Sequence, residues 1–347
     1  MQYRRLGDTD LSLSVIGFGC GGNAGLMTRG DAGEQTRIIA RALELGINYF
    51  DNSPDYGNCV AESNLGRALK ELGAKPLLNS KVEIRAENLD DIAGHVVAST
   101  EASLSRLGAE RLDMMQIHNG PTARPLVMEG KFYAQLPIEH FTRKGGAIEG
   151  VERLLRAGKI RHAGFICRGG DGDEVRRILD TGLFKLINTP FTLFNPTAGY
   201  DAPGLAGKDY GSVINLAKAR GGGAAIYSPL ASGFLTDDAL RGDDRHPLAR
   251  AYDMRAESSI RLRKQATAVS FLARENGISL AQAAFRFILG HPGVVVGLGG
   301  FSTREQMEEI AAVADMPAFT QAEMARLRAV WANNFGPYTN GHLHRPT

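Results

Sequence analysis

The stretch "VIGFGCGGNAG", residues 15–25, decides between two folds. Gly17, Gly19 and Gly22 spell G-x-G-x-x-G, which between a strand and a helix would open a dinucleotide-binding unit in an open doubly wound sheet. In that motif the helix begins within the glycines, so that its N-terminus receives the pyrophosphate. Here the helical pattern starts near Asp31, after "NAGLMTRG". The acidic residue that would hold a ribose, Asp51, lies 29 positions after Gly22, where about 20 are expected. In a chain with 42 glycines one such match carries little weight. The stretch reads better as a first core strand and its exit turn.

Outward from it, apolar strand-like runs alternate with helical patterns. The runs are "VIGFG", "INYFD", "PLLNSK", "RLDMMQIH", "IRHAGFIC", "FKLINT", "GAAIYSP" and "GVVVGLG". In "DAGEQTRIIARALELG", Ile38, Ile39, Ala42 and Leu43 share one helix face. Asp31 and Glu34 suit its start as a capping box, and Gly46 suits its end. Eight strands in βα alternation predict an α/β fold, a closed (β/α)8 TIM barrel spanning 1–347 as a single domain. The alternative is an open doubly wound sheet. "YRRL" and "LSLS" around "GDTD" predict an N-terminal hairpin. Three long segments, at about 119–147, 190–210 and 230–262, follow strands and so fall on the rim where binding and catalysis gather. A last helix is expected at about 320–334, leading into the tail "NNFGPYTNGHLHRPT".

Composition narrows the function classes. Forty basic and 38 acidic residues give a net charge of +2, too small for a nucleic-acid or membrane-surface footprint. The start "MQYRRLGDTDLSLS" has no apolar signal core, and no run approaches a membrane span. Cys20, Cys59 and Cys167 are too few and too spread for a disulfide scaffold. A soluble cytoplasmic protein is expected. All three cysteines fall near strand exits, but without C-x-x-C they read as small packing groups rather than a metal or redox cluster. Asp243, Asp244 and His246 read as a solvated loop, and His342 and His344 as part of a polar tail; no metal is expected. Phe194, Tyr200, Tyr252, Trp331 and Phe335 are candidates either for a substrate wall or for core packing.

The chemistry lies at the strand exits. Asp51 ends the second strand, Lys81 the third and His118 the fourth, with Tyr56 five residues beyond Asp51. Barrel closure brings consecutive strand ends to one rim, so the four side chains can meet. A tyrosine near pKa 10 donates a proton poorly unless a cation lowers that value. Lys81 is the candidate cation, Asp51 the group that holds it, and His118 a hydrogen-bonding partner for a carbonyl oxygen. Together they suit delivery of a proton to an oxygen whose carbon receives hydride. No side chain donates hydride, so a nicotinamide cofactor is implied.

At these residues the chain resembles the aldo-keto reductases. "LGINYFDNSPDYGNCVAESNLGRAL" matches that family's signature at Asp51, Tyr56, Gly57, Glu62, Leu65 and Gly66, and Lys81 and His118 complete its tetrad. "GKIRHAGF" (158–165), "YSPLASGFL" (227–235) and "STREQMEE" (302–309) extend the resemblance across about residues 3–313. It implies a (β/α)8 barrel that binds NADP(H) without a dinucleotide fold, with Tyr56 as general acid. It further implies that Tyr227 stacks on the nicotinamide. The loop beginning Ser228, Pro229 and Leu230 and including Gly233 would run beside the pyrophosphate. Gly300, Ser302, Gln306 and Glu309 would lie toward the adenosine, and Gly19, Cys20 and Gly21 beside the nicotinamide ribose.

The departures are specific. Ile166 and Cys167 replace the family's Ser-Asn at the carboxamide, and Asn188 replaces its Gln; Arg168 or water could complete the contact. Ile310 replaces an Asn, and Phe301 and Gln306 stand where the strongest 2′-phosphate sites carry cations. Ser302, Thr303 and Arg304 remain to hold a phosphate, with Arg304 the best cation. NADP(H) is therefore favoured, with NAD(H) as the alternative. A small carbonyl or alcohol substrate is implied, an aldehyde, ketone or aldose. "QIHNGP" and "LFNPTAG" resemble bacterial members grouped with aldose dehydrogenases. The competing reading is a cofactor-binding regulatory subunit, as the potassium-channel β subunits are within this family.

Overall fold

Each of the eight apolar runs forms a strand of one closed parallel barrel. The structure, a computed structural model, describes residues 1–22, 24–125, 135–168, 172–241 and 252–336. Strands β1 (Tyr3–Arg5) and β2 (Ser12–Ser14) form the expected antiparallel hairpin, with Tyr3 opposite Ser14. The barrel begins with β3 (Ile16–Gly19), β4 (Tyr49–Asp51), β5 (Leu77–Val82) and β6 (Leu112–Ile117). In the long segment after β6, β7 (Gly120–Thr122) and β8 (Gln135–Pro137) pair in parallel as a separate small sheet. The barrel resumes with β9 (Ile160–Ile166), β10 (Phe184–Pro190), β11 (Gly223–Tyr227) and β12 (Val294–Gly300).

Closure comes from β12 returning to β3, with Gly297 opposite Ile16 and Gly300 opposite Gly19. This pairing settles the role of the first glycine. A Cβ on Gly17 would stand 2.8 Å from Val296 Cγ2 and 3.0 Å from Leu298 Cδ2, so Gly17 is a packing residue inside the barrel. A short helix not expected from the sequence, α1 (Leu26–Arg29), follows the glycines and is entered through Gly25 at φ 84°. Four residues are too short for a periodic signal to emerge.

Helix α2 (Ala32–Glu44) starts where the sequence places it. Asp31 Oδ1 accepts from Glu34 N at 2.9 Å, and Gly46 follows the C-terminus at φ 84°. Its buried face includes Gln35, whose amide donates to the carbonyls of Leu26 and Gly30 and so anchors α1. Helices α3 (Val60–Leu72) and α4 (Ile92–Leu107) continue the outer layer. Gly66 lets them close: a Cβ there would lie 2.5 Å from the Arg106 carbonyl oxygen. Buried Glu62 ties α3 to its neighbours by accepting from Ser80 Oγ at 2.5 Å and Arg106 Nε at 2.6 Å.

The hairpin stoppers the base of the barrel. Leu6, Leu11 and Leu13 are buried in one cluster with Tyr49, Met114, Leu186, Ala225 and Val296. On another side, Tyr200 and Trp331 join Phe191, Phe287 and His291 in an aromatic cluster. Trp331 Nε1 donates to the Leu193 carbonyl at 2.9 Å. Phe194 meets Phe335, and Tyr252 meets Phe234. Phe194, Tyr200, Trp331 and Phe335 therefore serve packing, whereas Tyr252 remains 42% exposed. Asp243, Asp244, His246, His342 and His344 lie outside the described residues. No helix among the described residues is long and apolar enough to cross a membrane.

Candidate active site

The strand exits converge as barrel closure requires. Lys81 Nζ donates to Asp51 Oδ2 at 2.7 Å, to the Asn52 carbonyl at 2.7 Å and to Tyr56 Oη at 3.2 Å. Lys81 and Asp51 are buried. The His118 ring stands edge-on to the Tyr56 ring, centroids 6.4 Å apart. His118 N donates to the Val82 carbonyl, which fixes it at the exit of β6 against β5. All four residues expected to form the site are thus gathered at one end of adjacent strands.

The electrostatics differ from expectation at Tyr56. Burial pushes the phenol above its ordinary value, and Lys81 opposes that rise without reversing it. Desolvating a phenolate costs more than one neighbouring ammonium, already paired to Asp51, returns. Burial pulls Lys81 down, but Asp51 and Tyr56 more than restore it, so the ammonium stands above its usual value. His118 is pushed down by burial, with Lys81 and Arg168 adding to the shift against Asp55. At neutral pH the site therefore holds a phenol, an ammonium and a neutral imidazole.

A file of buried amides runs from the tetrad across the barrel. Asn79 Nδ2 donates to Asp51 Oδ1 at 2.5 Å and to Gln116 Oε1 at 3.1 Å, and Gln116 Nε2 donates to Asn188 Oδ1 at 2.7 Å. Asn188 is paired in register with Ile166. Its carbonyl oxygen is thus committed to Gln116, a partner that sequence reading missed. Ile166 and Cys167 are both buried apolar positions.

A cavity of about 400 Å³ opens beside Tyr56 and Asp51. Its near wall includes Gly19 and Gly21, and Gly300 lines it from β12. Side chains on Gly19 or Gly21 would fill this cradle: a Cβ at 19 would lie 3.1 Å from the Gly299 carbonyl oxygen, and one at 21 would lie 3.8 Å from Tyr56 Cζ. Tyr227, Ser228, Pro229, Leu230 and Gly233 form a strap that lines the cavity. The strap turns through left-handed backbone at Ser228, Ala231, Ser232 and Gly233. Such residues cost about 1 kcal/mol or more each and persist where the surroundings dictate them. Ser302, Gln306 and Glu309 line the far end. An elongated cavity with a glycine floor, ending at a helix start, fits a dinucleotide.

Cys20, Asn188, Thr303 and Arg304, also expected to contact the cofactor, lie off this lining. Cys20 is buried, its thiol pushed up by burial, and its amide donates to the Asp51 carbonyl. Thr303 caps the helix Arg304–Ala311 by accepting from Gln306 N. Arg304 Nε donates to Glu308 Oε1 at 2.8 Å, a carboxylate it shares with Arg41. Glu309 accepts from Ser279 Oγ. Arg241, paired with Asp238, and Asp237 line the cavity unforeseen. The charge cluster in "TDDALR" was the available signal.

Asp55, Glu83 and Arg85 were also missed. Asp55 Oδ2 lies 3.3 Å from His118 Nδ1, and Arg85 Nη2 donates to Asp55 Oδ1 at 2.8 Å and to Glu83 Oε2 at 2.9 Å. Asp55 stands beside Tyr56 in sequence, and Glu83 two positions past Lys81; that adjacency to catalytic candidates was the only clue.

Comparison with known proteins agrees with this geometry. L-galactose dehydrogenase of Arabidopsis thaliana is 26% identical over 91% of this chain and 89% of its own. A probable voltage-gated potassium channel subunit beta of the same plant is 25% identical over 95% and 96%. An aldo-keto reductase from Bacillus halodurans, solved in its holo form, superposes with a TM-score of 0.71 over 97% of this chain and 98% of that one, at 22% identity. Residues 15–332 match the Aldo/keto reductase family. With its barrel closed and its four strand-exit residues assembled, the chain belongs to the aldo/keto reductase family and is an NAD(P)-dependent oxidoreductase.

Proposed function

We propose that this oxidoreductase reduces an aldehyde, ketone or aldose carbonyl to its alcohol, or runs the reverse. The observation that carries the reading is Lys81 Nζ, 2.7 Å from Asp51 and 3.2 Å from Tyr56 Oη, at the mouth of a cavity reaching Ser302 and Gln306. A nicotinamide held there supplies the hydride. The chain's own residues handle the proton and the charge. Tyr56, kept as a phenol by burial, gives its proton to the substrate oxygen as negative charge builds there. Lys81 then faces a phenolate at hydrogen-bond distance, and Asp51 holds Lys81 in place. His118 orients the substrate oxygen. Asn188, its carbonyl committed to Gln116, has its amide NH2 left for the carboxamide. Gly19, Gly21 and the Tyr227–Gly233 strap hold the dinucleotide, with Cys20 shaping the backbone.

NADP(H) stands ahead of NAD(H) in this reading because Ser302, Thr303 and Arg304 begin the helix at the far end. Arg304 must leave Glu308 to reach a 2′-phosphate, so NAD(H) is the competitor. A relative named L-galactose dehydrogenase makes sugars the first substrates to screen. We take 1–347 to act as one barrel unit in the cytoplasm. Tyr56→Phe is expected to lower kcat by roughly 10²–10⁴-fold while leaving dinucleotide affinity nearly unchanged. Near-normal kcat would remove Tyr56 from its role.

A second reading, a cofactor-binding regulatory subunit, is favoured by the relative named as a potassium channel β subunit. Steady-state turnover well above about 1 s⁻¹ on some carbonyl supports the enzyme. Failure across a broad carbonyl panel, with tight dinucleotide binding and a protein partner, supports the subunit.

A further inference from the structure

Three buried amides, Asn79, Gln116 and Asn188, link β4 to β10, and their polarity is not free. The two oxygens of Asp51 have separate duties: Oδ2 accepts from Lys81 Nζ at 2.7 Å, and Oδ1 from Asn79 Nδ2 at 2.5 Å. A carboxylate accepts only, so Asn79 turns its NH2 toward Asp51 and cannot offer its carbonyl. The second proton of that NH2 goes to Gln116 Oε1 at 3.1 Å, and Gln116 Nε2 then donates to Asn188 Oδ1 at 2.7 Å. Asn79 Oδ1 is left buried with no hydrogen-bond donor on it. That orphaned acceptor marks an imposed orientation, because turning Asn79 over would set its carbonyl against the Asp51 carboxylate. The track for this file is built into the barrel. β9 lies between β6 and β10, with Gly164 in register with Gln116 on one side and Leu186 on the other. A Cβ on Gly164 would stand 3.1 Å from both Gln116 Cγ and Gln116 Nε2 and would clash with the Leu186 carbonyl oxygen. Glycine leaves the crossing clear.

The file ends on the NH2 of Asn188, two donors that the relay does not use. Asn188 is in register with Ala225, one side-chain layer short of Tyr227, which lines the cavity with Asp51 and Tyr56. Hydride and proton go to the two atoms of one carbonyl, so the reactive ring of a nicotinamide belongs at this Tyr56 end. The amide is that ring's one hydrogen-bonding group. We propose that Asn79 and Gln116 are positioning residues that carry the fixed polarity of Asp51 to Asn188, so that the site reads the carbonyl oxygen of the nicotinamide amide and ignores its NH2. The inference rests on the oxidoreductase reading above and sharpens it.

Two dinucleotide analogues separate the halves of that amide. In the 3-acetylpyridine analogue a methyl replaces the NH2 and the carbonyl stays. In the thionicotinamide analogue the NH2 stays, and sulfur, a weaker acceptor, replaces the oxygen. Oxidised forms of both, and of the natural dinucleotide, are titrated calorimetrically, so no turnover is needed. The wild type is expected to bind the acetyl analogue within about threefold of the natural dinucleotide and the thio analogue about tenfold more weakly, the effect of losing one hydrogen bond.

Gln116→Glu puts an acceptor-only group in the relay, which still accepts from Asn79 but now accepts from Asn188 as well. Asn188 is thereby turned over, and the order of the two analogues is expected to reverse. Gln116→Met keeps the length of the side chain and cuts the relay, so the gap between the analogues is expected to close. This neutral variant decides the matter where Gln116→Glu does not fold. A general loss of packing weakens all three ligands alike and leaves their ratios unchanged. A wild type that prefers the thio analogue, or a Gln116→Met variant that keeps the wild-type ratio, would overturn the proposal. If neither natural dinucleotide binds the wild type, the oxidoreductase reading itself falls; binding in the wrong order removes only the relay.

Discussion

Glu83 and Asp55 are two carboxyl groups driven in opposite directions by one contact. Burial and Asp55 raise Glu83 to about 7, whereas the proximity of His118, Glu83 and Arg85 outweighs burial and brings Asp55 down to about 2. The raised group binds its proton better folded than unfolded. Its contribution to stability is therefore full below about 4.5 and is lost as pH rises through about 7. The depressed group works the other way, stabilising above about 3.8 and losing that as pH falls through about 2. Glu83→Gln is expected to raise stability relative to the wild type at pH 8, by on the order of 1–3 kcal/mol, and to give no such gain at pH 5. Thermal melts at the two pH values check this; equal shifts at both would show that Glu83 does not titrate near 7. Asp51, Lys81 and His118 were legible in the sequence because each stands at its own strand exit, and Tyr56 because it follows Asp51 in the same exit loop. Asp55, Glu83 and Arg85 were not, because their meaning is a contact between two successive exit loops.

Between elements, close approach was written in small residues. Gly66 on α3 faces the Arg106 carbonyl and the Leu107 backbone at the end of α4, where a Cβ would stand 2.5 to 2.9 Å away. Backbone cannot swing aside as a flexible side chain can. Gly66→Ala is expected to destabilise the fold by about 1–3 kcal/mol, read as a lower urea midpoint at unchanged m-value. A neutral result would mean that α3 and α4 separate freely. The strands and the start of α2 could be read from apolar runs and from Asp31, since both signals are local. Helix α1 and the β7–β8 pair could not, because three or four residues hold no period. The strap after β11 was found only through family resemblance; no propensity rule expects left-handed backbone at Ser228, Ala231 and Ser232.

At the scale of the molecule, alternation of strand and helix announced the barrel, but closure decided which polar groups meet. Gln116 looked like any strand residue until β6 settled between β5 and β9, where it joins Asn79 to Asn188. The charge cluster at Asp237, Asp238 and Arg241 likewise gained its meaning from the cavity it borders. A ligand that binds only the folded barrel raises its stability by about 2.7 kcal/mol at a hundred times its Kd. NADPH is therefore expected to raise Tm by several degrees, and by more than NADH at equal concentration. A larger shift with NADH would reverse the assigned preference, and no shift with either would separate the cavity from dinucleotides.

The leucine-filled hairpin under the barrel has a consequence for traffic. With Leu6, Leu11 and Leu13 packed into the base, the cavity beside Tyr56 is approached from the rim, and residues of the 227–233 strap line it. A cofactor and a substrate that both bind in that cavity would share this approach, so the two would compete for passage rather than come from opposite ends of the barrel.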